Sequence, residues 1–363
     1  MTSTVDNKSE VVQSGTTISI DAMGGDLGPA AVVAGIVRVA QKNKKIHFLL
    51  HGQQKQLRKL VAKRQSLKGR VTIIDSLEVI KMEDKPSHVV RHGKATSMWS
   101  AIDSVRDGDA SVCVSCGNTG ALMAISMVRL RKLNGVNRPA IAILWPSSNP
   151  MGFNVMLDVG ADVRADPKDL LQYALMGVSY ARNGLGIAKP RVGLLNVGTE
   201  EHKGRSELKE AYAKIEHCQL EANFVFEGFV EGGDIPGSKV DVIVTDGFTG
   251  NVALKTAEGT ASLIGYLLRE AFRFSPLSKL ASILAFTSLN RFKMRIDPRR
   301  VNGGVFLGLN GTVVKSHGSA DATGIEAAIK LAFELSKNDF LQKVAARVAY
   351  AGAIDNDVYD DAN

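Results

Sequence analysis

The feature that most constrains the fold is a regular alternation of short apolar segments with longer amphipathic ones. Segments such as Arg191–Asn196 and Val240–Thr245 are apolar on both faces, as strands are when helices cover both sides of a sheet. Further segments of this kind, predicted as strands, include Thr17–Asp21, His47–Leu50, Val71–Asp75, Ala110–Ser115, Ala140–Trp145 and Phe153–Asp158. Helical periodicity predicts helices at Pro29–Gln41, Thr119–Lys132, Lys168–Asn183, Ser206–His217, Asn251–Leu268 and Ala320–Ser336. The pattern predicts an α/β fold, a doubly wound α/β/α sandwich.

Length and composition are consistent with one large domain. The chain has 363 residues, of which 45% are hydrophobic and 23% charged, the usual mixture of a globular protein. We predict a single α/β domain over residues 16–350, a disordered leader over 1–15 and a polar tail over 351–363. The sequence has no uncharged apolar run of about 20 residues and no signal-peptide pattern, so we expect a cytoplasmic protein.

No motif for a metal or cofactor is apparent. Cys113 and Cys116 have a redox-like or metal-like spacing, but no second pair completes four zinc ligands. Thiols at a buried strand end usually behave as small apolar side chains, so we favour that interpretation. The dinucleotide fingerprint and the P-loop pattern are both absent from the sequence. We therefore expect neither a metal nor a cofactor, and no nucleic-acid partner.

Four glycine-rich turns follow predicted strands and precede predicted helices. Glycine lets the backbone approach an anion closely, and the first N–H groups of a helix point toward it. A single turn of this kind is usually structural in an α/β protein, whereas four turns that also carry Asn, Thr, Asp, His and Lys indicate a phosphate-handling site. The turns are Ser115–Gly120, Asn196–Gly204, Asp246–Asn251 and Ser316–Ser319.

The segment over residues 262–297 differs from the rest of the chain. Its pattern predicts two helices broken at Ser275–Pro276, with apolar positions at helical spacing in the second helix. Eight basic and two acidic residues lie between Ser262 and Arg300, which accounts for most of the net charge of +8. Such a helical projection fits either a membrane interface or a dimer interface, and the basic bias favours an anionic surface.

Short motifs in colinear order between Ile18 and Gly324 resemble the bacterial phosphate acyltransferases of phospholipid synthesis, the PlsX family. The matching motifs are Asp21–Asp26, Gly117–Leu122, Arg138–Ala140, Leu157–Ala161, Gly193–Glu200, Thr245–Val252, Gly303–Gly304 and Ser316–Ser319. Two positions depart from the common pattern of the family: Cys116 stands where a small residue such as Ala is commoner, and His202 where another basic or polar residue is often found.

The resemblance implies a fold similar to that of the isocitrate and isopropylmalate dehydrogenases and of phosphate acetyltransferase, in a homodimer. It implies transfer of a long acyl chain from acyl carrier protein to inorganic phosphate, with the acyl phosphate passing to a membrane glycerol-3-phosphate acyltransferase. It also implies peripheral membrane association through a helical projection, which favours the membrane interpretation of residues 262–297. The expected membrane or carrier contacts are Arg269, Phe272, Arg273, Leu277, Lys279, Leu280 and Leu284.

Attack of phosphate on a thioester needs no protein nucleophile, so the site must supply phosphate binding, positioning and oxyanion stabilisation. We predict Lys203, Asn251 and His317 as the catalytic residues. Each has a simpler alternative: a solvated loop lysine, a helix cap and a structural histidine. The predicted phosphate-binding or substrate-binding residues are Gly24, Gly25, Asn118, Thr119, Gly120, Asn196, Gly198, Asp246, Gly247 and Gly250.

Carboxylates in the same motifs would repel phosphate, so we interpret them as helix caps or as partners that orient Lys203. These are Asp21, Asp26, Asp158 and Asp246. Two other functions stay open at this point. One is a short-chain phosphate acetyltransferase or butyryltransferase that uses coenzyme A thioesters, and the other is a non-catalytic scaffold that binds acyl carrier protein at the membrane.

Overall fold

The computed structural model describes residues 15–200, 202–296, 303–337 and 339–349. The polar tail predicted over 351–363 and all but the last residue of the predicted leader lie outside these ranges. The described residues form a single large sheet with helices on both faces. The predicted doubly wound α/β sandwich is therefore confirmed.

Eleven strands of the described chain form the sheet in the order β3-β2-β1-β4-β11-β10-β5-β6-β9-β7-β8. Their bounds are β1 Thr16–Asp21, β2 Ile46–Gly52, β3 Val71–Asp75, β4 Val112–Ser115, β5 Ala140–Pro146, β6 Phe153–Leu157, β7 Arg191–Leu195, β8 Val225–Val230, β9 Val242–Val244, β10 Gly304–Leu307 and β11 Thr312–Lys315. The central strands are buried on both faces, as their apolar pattern predicts.

The helices pack on the two faces of the sheet. Their bounds are α1 Gly28–Lys42, α2 Gln54–Ala62, α3 Pro86–His92, α4 Ser97–Arg106, α5 Thr119–Arg129, α6 Pro167–Leu185, α7 Ser206–Cys218, α8 Gly247–Arg273, α9 Pro276–Leu284, α10 Phe286–Ile296, α11 Ala322–Leu335 and α12 over 340–349. Helix α6 is the most buried of the long helices, and a capping box between Asp166 and Asp169 fixes its start. Two apolar clusters fill the space between helices and sheet.

The sheet is mixed rather than wholly parallel, and this decides where the glycine-rich turns lie. Strand β10 is antiparallel to both β11 and β5, and β6 is antiparallel to β5. Strands β7 and β9 consequently run opposite to β4 and β11. Each turn does follow a strand end, as predicted. The turns nevertheless form two neighbouring pairs, one after β4 and β11 and the other after β7 and β9.

The segment predicted as a helical projection, 262–297, comprises the second part of α8 together with α9 and α10, and residue 297 lies outside the described residues. Helix α8 has 27 residues, which corresponds to about 40 Å. The predicted break is confirmed, because α8 ends at Arg273 and the Ser275 side chain caps α9, which begins at Pro276. The prediction of two helices was wrong in one respect: a second break at Ala285 separates α10 from α9. Large apolar side chains are exposed along the projection, among them Leu277, Leu280 and Leu284.

Candidate active site

The first half of the site is built where β1, β4 and β11 end side by side. Asp21, the last residue of β1, is buried and accepts hydrogen bonds from the hydroxyls of Ser97 and Ser115, each at 2.7 Å. It also accepts from the N–H groups of Met23 and Gly24. Burial raises the pKa of the Asp21 carboxyl, and these hydrogen bonds oppose the shift. Asp21 thus holds the Met23–Gly24 turn against the end of β4.

The glycines of this half let three loops touch through their backbones. A Cβ on Gly24 would lie 2.8 Å from the amide nitrogen of Gly117, and Gly25 has a φ of +98° that favours glycine. The N–H of Asp26 donates to the carbonyl of Gly318 at 2.8 Å, which ties the β1 loop to the β11 loop. The predicted residues Gly24 and Gly25 therefore lie at this three-loop junction.

The second half of the site is the beginning of α8. Asp246 caps this helix by accepting from the N–H of Thr249, and it also accepts from Arg205 at 2.6 Å. Gly247 and Gly250 face the loop after β6: a Cβ on Gly250 would lie 1.9 Å from the carbonyl oxygen of Asp158. The N–H of Gly250 already donates to Asp246 within the helix. In this structure the two glycines seat α8 on the β6 loop.

Asp158 organises that loop from within. Its buried carboxylate accepts hydrogen bonds from the N–H groups of Ile141, Gly160, Ala161 and Asp162, at 2.7 to 3.2 Å. Burial raises the pKa of Asp158 to about 6, and the four donors oppose that shift. The loop carbonyl of Val159 then accepts from the side-chain amide of Asn251 at 3.1 Å, which orients Asn251 on α8.

Lys203 lies on the loop between β7 and α7, close to the α8 start. Asn196 orders this loop: its side-chain amide donates to the carbonyl of Lys203 at 3.2 Å, and its Oδ1 accepts from Val197. Gly198 passes directly beside the Lys203 side chain. The ammonium is exposed and pairs with Glu200 at 2.8 Å, and the hydrogen bond that it donates to the Glu200 carboxylate raises the pKa of Lys203.

The two halves meet across a cavity of about 500 Å³. One wall is apolar and includes Ile141, Leu144, Trp145 and Leu254. The other end is polar, and its lining residues are Thr119, Asn251, Lys255, Glu258, Lys315, Ser316, His317 and Ser319. Strand β9, which precedes α8, runs opposite to β4 and β11. Helix α8 nevertheless brings Asn251 to the same cavity as the residues that follow β4 and β11. A pocket with an apolar wall and a few convergent polar groups is the usual form of a small-molecule site.

A hydrogen bond and a nearby carboxylate hold His317, which lines this cavity. Its Nδ1 faces the hydroxyl of Ser319 at 2.8 Å, and its Nε2 lies 3.7 Å from Oε1 of Glu258. The contact with His317 and the neighbouring Lys255 lower the pKa of Glu258 to about 2, so this carboxylate stays charged. The arrangement fixes the imidazole between a hydroxyl and a carboxylate, which suits a group that moves a proton.

The structure brings together Thr119, Asn251 and His317, but places the other predicted residues around them. Asn118 uses its side chain locally, because it caps α5 through Ala121 and donates to the carbonyl of Met82 at 2.7 Å. Gly120 faces Pro86 of α3. Lys203, Asn196 and Gly198 form a neighbouring loop and do not line the cavity. Their roles in binding or catalysis stay predictions.

Sequence reasoning missed three charged residues of the cavity. Lys255 and Glu258 follow Asn251 at intervals of four and seven residues along α8, and this helical spacing was the available signal. Lys315 ends the otherwise apolar and hydroxyl-bearing strand β11, immediately before the Ser316–Ser319 turn. A lysine inside a buried strand is unusual, and that alone could have singled it out.

The cysteines have the environment of small apolar side chains. Cys113, Cys116 and Cys218 are buried and free, and burial raises the pKa of all three thiols. Within the described ranges, no group of three or more His, Cys, Asp or Glu side chains is placed to hold a metal ion. Among the described helices, none combines the length and apolarity needed to cross a membrane.

Comparison with known proteins identifies the family. Residues 16–343 match the family described as "Fatty acid synthesis protein". A protein named phosphate acyltransferase from Ruegeria sp. (strain TM1040) is 71% identical over 336 residues, 93% of this chain and 90% of that protein. The protein of the same name from Ruegeria pomeroyi (strain ATCC 700808 / DSM 15171 / DSS-3) is 68% identical over 340 residues, 94% of this chain and 92% of that protein.

Solved structures agree at the level of the fold. A phosphotransacetylase from Streptococcus pyogenes superposes with a TM-score of 0.56 at 18% identity, covering 89% of this chain and 94% of the other. The EutD phosphotransacetylase from Staphylococcus aureus gives a TM-score of 0.55 at 14% identity, with coverages of 89% and 94%. These similarities confirm the predicted likeness to phosphate acetyltransferase in fold. The family match and the two close relatives show that the chain belongs to the phosphate acyltransferase family of enzymes.

Proposed function

We propose that this enzyme transfers a long-chain acyl group from acyl-[acyl carrier protein] to inorganic phosphate. The acyl phosphate would then supply a membrane glycerol-3-phosphate acyltransferase in phospholipid synthesis. The observation that carries the proposal is the cavity, which joins an apolar wall to a polar end with Asn251 and His317. An acyl chain needs the first and a reacting thioester needs the second.

The wall favours a long chain over an acetyl group. Ile141 and Leu144 on β5 and Leu254 and Ala257 on α8 present apolar surface beyond what two carbons would cover. Burial of each methylene contributes about 0.8 kcal/mol, so a long acyl chain gains much more from such a wall than an acetyl group does. The cavity therefore supports the long-chain donor over the short-chain alternative.

The chemistry needs a positioned acceptor and donors for the developing charge. A phosphate oxygen attacks the thioester carbonyl carbon, the carbon–sulfur bond breaks, and the proton lost by phosphate passes to the leaving thiolate. Asn251 uses one amide hydrogen on Val159 and has a second for the oxyanion. His317, held by Glu258 and Ser319, carries the proton to sulfur. Lys203 would join by exchanging Glu200 for a phosphate oxygen.

We propose a homodimer from the family resemblance.

We propose that the helical projection contacts the carrier protein and the membrane. Arg269, Arg273 and Lys279 are exposed on α8 and α9, where they suit an acidic carrier protein or anionic lipid headgroups. Leu277 and Leu284 are 76% and 82% exposed, an unusual degree for neighbouring leucines on one helix. Insertion of this face into the membrane interface would bury them.

The donor is tested by the thiol released from long-chain acyl carrier protein, measured with and without inorganic phosphate. We expect release that depends on phosphate, with a kcat/KM well above that for acetyl-coenzyme A in the same assay. A preference for acetyl-coenzyme A would support the short-chain alternative instead. A protein that binds the carrier but releases no thiol from either donor would point to the scaffold.

The membrane contact is tested by sedimentation with vesicles that contain phosphatidylglycerol. The double variant Leu277→Glu/Leu284→Glu should lose vesicle binding and keep turnover with substrates in solution. Leu77 and Leu220 are 75% and 84% exposed outside the projection, so Leu77→Glu/Leu220→Glu is the matched control and should bind as the unchanged protein does. Equal sedimentation of both double variants would contradict the proposed contact.

A further inference from the structure

One charged group of the cavity has no role in the chemistry described so far. Lys315 is the last residue of β11, and its side chain is only 9% exposed. Its register partner on β4 is Ser115, directly before the Cys116–Gly117 turn. The ammonium donates to the carbonyl oxygens of Cys116, at 3.4 Å, and of Ser316, and the side chain lines the polar end of the cavity.

The ammonium has no anionic partner in the described part of the chain. Two other buried carboxylates are paired with a cation, Asp241 with Arg191 at 2.8 Å and Glu326 with Lys42 at 2.7 Å, whereas Asp21 and Asp158 are held by several neutral hydrogen-bond donors each. Lys315 makes no such contact with any described carboxylate, and its two acceptors are neutral carbonyls. A buried charge without a counter-charge is expensive, so the site favours an anion from solution.

The groups around Lys315 also favour the binding of an anion. Burial lowers the pKa of Lys315 to about 8, and repulsion from Lys255 of α8 acts in the same direction. The Cys116 side chain and the carboxylates Asp21 and Asp26 oppose it. Cys116, Asp21 and Asp26 lie at the three-loop junction, and Lys255 lies on α8. None of these four side chains forms an ion pair with the ammonium of Lys315. An anion in the cavity would hold Lys315 in its charged form.

We infer that Lys315 binds the phosphate acceptor directly, with its ammonium against a phosphate oxygen at the polar end of the cavity. This inference rests on the proposed function, because it assigns a ligand to the acceptor of that reaction. A phosphate there would lie beside the loops after β4 and β11 and face Asn251 across the cavity. Lys203, in contrast, is exposed and paired with Glu200 outside the cavity.

The test is equilibrium binding of inorganic phosphate to the full chain, without any acyl donor. Lys315→Met keeps the length of the side chain and removes its charge, and should weaken binding about 10- to 100-fold, the usual range for a charged hydrogen bond. Lys330→Met is the matched control, because Lys330 is an exposed lysine of α11 paired with Glu326. This variant should bind phosphate as the unchanged protein does.

A second arm uses the unchanged protein and does not depend on how a variant folds. Phosphate affinity should fall as the pH rises through about 8, because the ammonium loses its proton there. Calorimetry in two buffers with different ionisation enthalpies should show proton uptake on binding near that pH. Phosphate binding that survives Lys315→Met, or that shows no proton uptake, would overturn the assignment of Lys315 as the phosphate ligand. Neither result would contradict phosphate as the acceptor. Failure of the unchanged protein to bind phosphate would overturn the proposed acceptor as well.

Discussion

The Gly250→Ala variant tests whether the α8 glycines seat the helix or bind phosphate. The added Cβ would lie 1.9 Å from the carbonyl oxygen of Asp158, whereas ordinary contact begins at 3.4 Å. The obstacle is backbone, which cannot rotate away. Helix and loop must therefore separate by close to 1.5 Å, the difference between these two distances.

The magnitudes follow from that displacement. Overpacking of this kind costs about 1 to 3 kcal/mol, and Ala gains about 0.5 to 1 kcal/mol over Gly inside a helix, so we expect a net loss of about 1 kcal/mol of stability. Asn251 is the next residue, and its amide contacts the same loop at Val159. A misplacement of about 1 Å in a site can cost on the order of 100-fold in rate, so kcat/KM should fall by about that factor.

Urea denaturation and the thiol-release assay measure the two effects. Gly259→Ala is the matched control, because this glycine is exposed on the same helix and a Cβ there meets nothing within 4 Å. The control should be more stable by about 0.5 to 1 kcal/mol and retain activity. Gly250→Ala with unchanged stability and activity would refute the seating argument. Lost activity with unchanged stability would instead favour a direct role of Gly250 in phosphate binding.

Three further predictions concern single side chains. Glu258→Gln should lower kcat about 10- to 100-fold, because it disturbs the proposed proton carrier His317. The KM for phosphate should stay within twofold, and a raised KM would contradict this role of Glu258. Lys203→Met should lower kcat/KM about 100-fold, because it removes the proposed contact of this lysine with a phosphate oxygen, and should leave the urea midpoint unchanged. Unaltered kinetics would remove Lys203 from the catalytic residues. Burial lowers the pKa of His51 from 6.5 to about 4. The contribution of the neutral imidazole to the free energy of unfolding should therefore be fully present above pH 6.5 and fall by about 3 kcal/mol as the pH drops through 4. In His51→Gln this part of the acid dependence should vanish.

Much of the fold was predictable because its signals are local. The doubly apolar strands, the helices between them and the break at Ser275–Pro276 are all encoded within a few residues. The directions of β10, β5 and β6 are not, since strand pairing joins segments far apart in the chain. The pairing of the turns, and the way α8 joins the two halves of the site, depend on those directions.

The site was predictable only as far as its signals are local. A motif such as Asp246–Asn251 indicates a tight helix start, but it does not say whether the glycines face an anion or the carbonyl of Asp158. Asn118 carries side-chain groups suited to phosphate, yet the structure shows them occupied by Ala121 and Met82. Lys315 directly precedes the Ser316–Ser319 turn, but the sequence does not show its burial or the absence of a described carboxylate partner, which together distinguish it from other lysines.

The most direct test of the account is to trap the acyl phosphate itself. The purified protein is incubated with palmitoyl-[acyl carrier protein] and inorganic phosphate. Unreacted carrier thioester is removed first, because hydroxylamine also attacks thioesters, and the remaining product is then converted to a hydroxamate with neutral hydroxylamine. We expect palmitoyl hydroxamate that forms only when phosphate is present, with an equal amount of free carrier thiol. Carrier thiol released with no hydroxamate, or hydroxamate that forms equally without phosphate, would contradict transfer to phosphate.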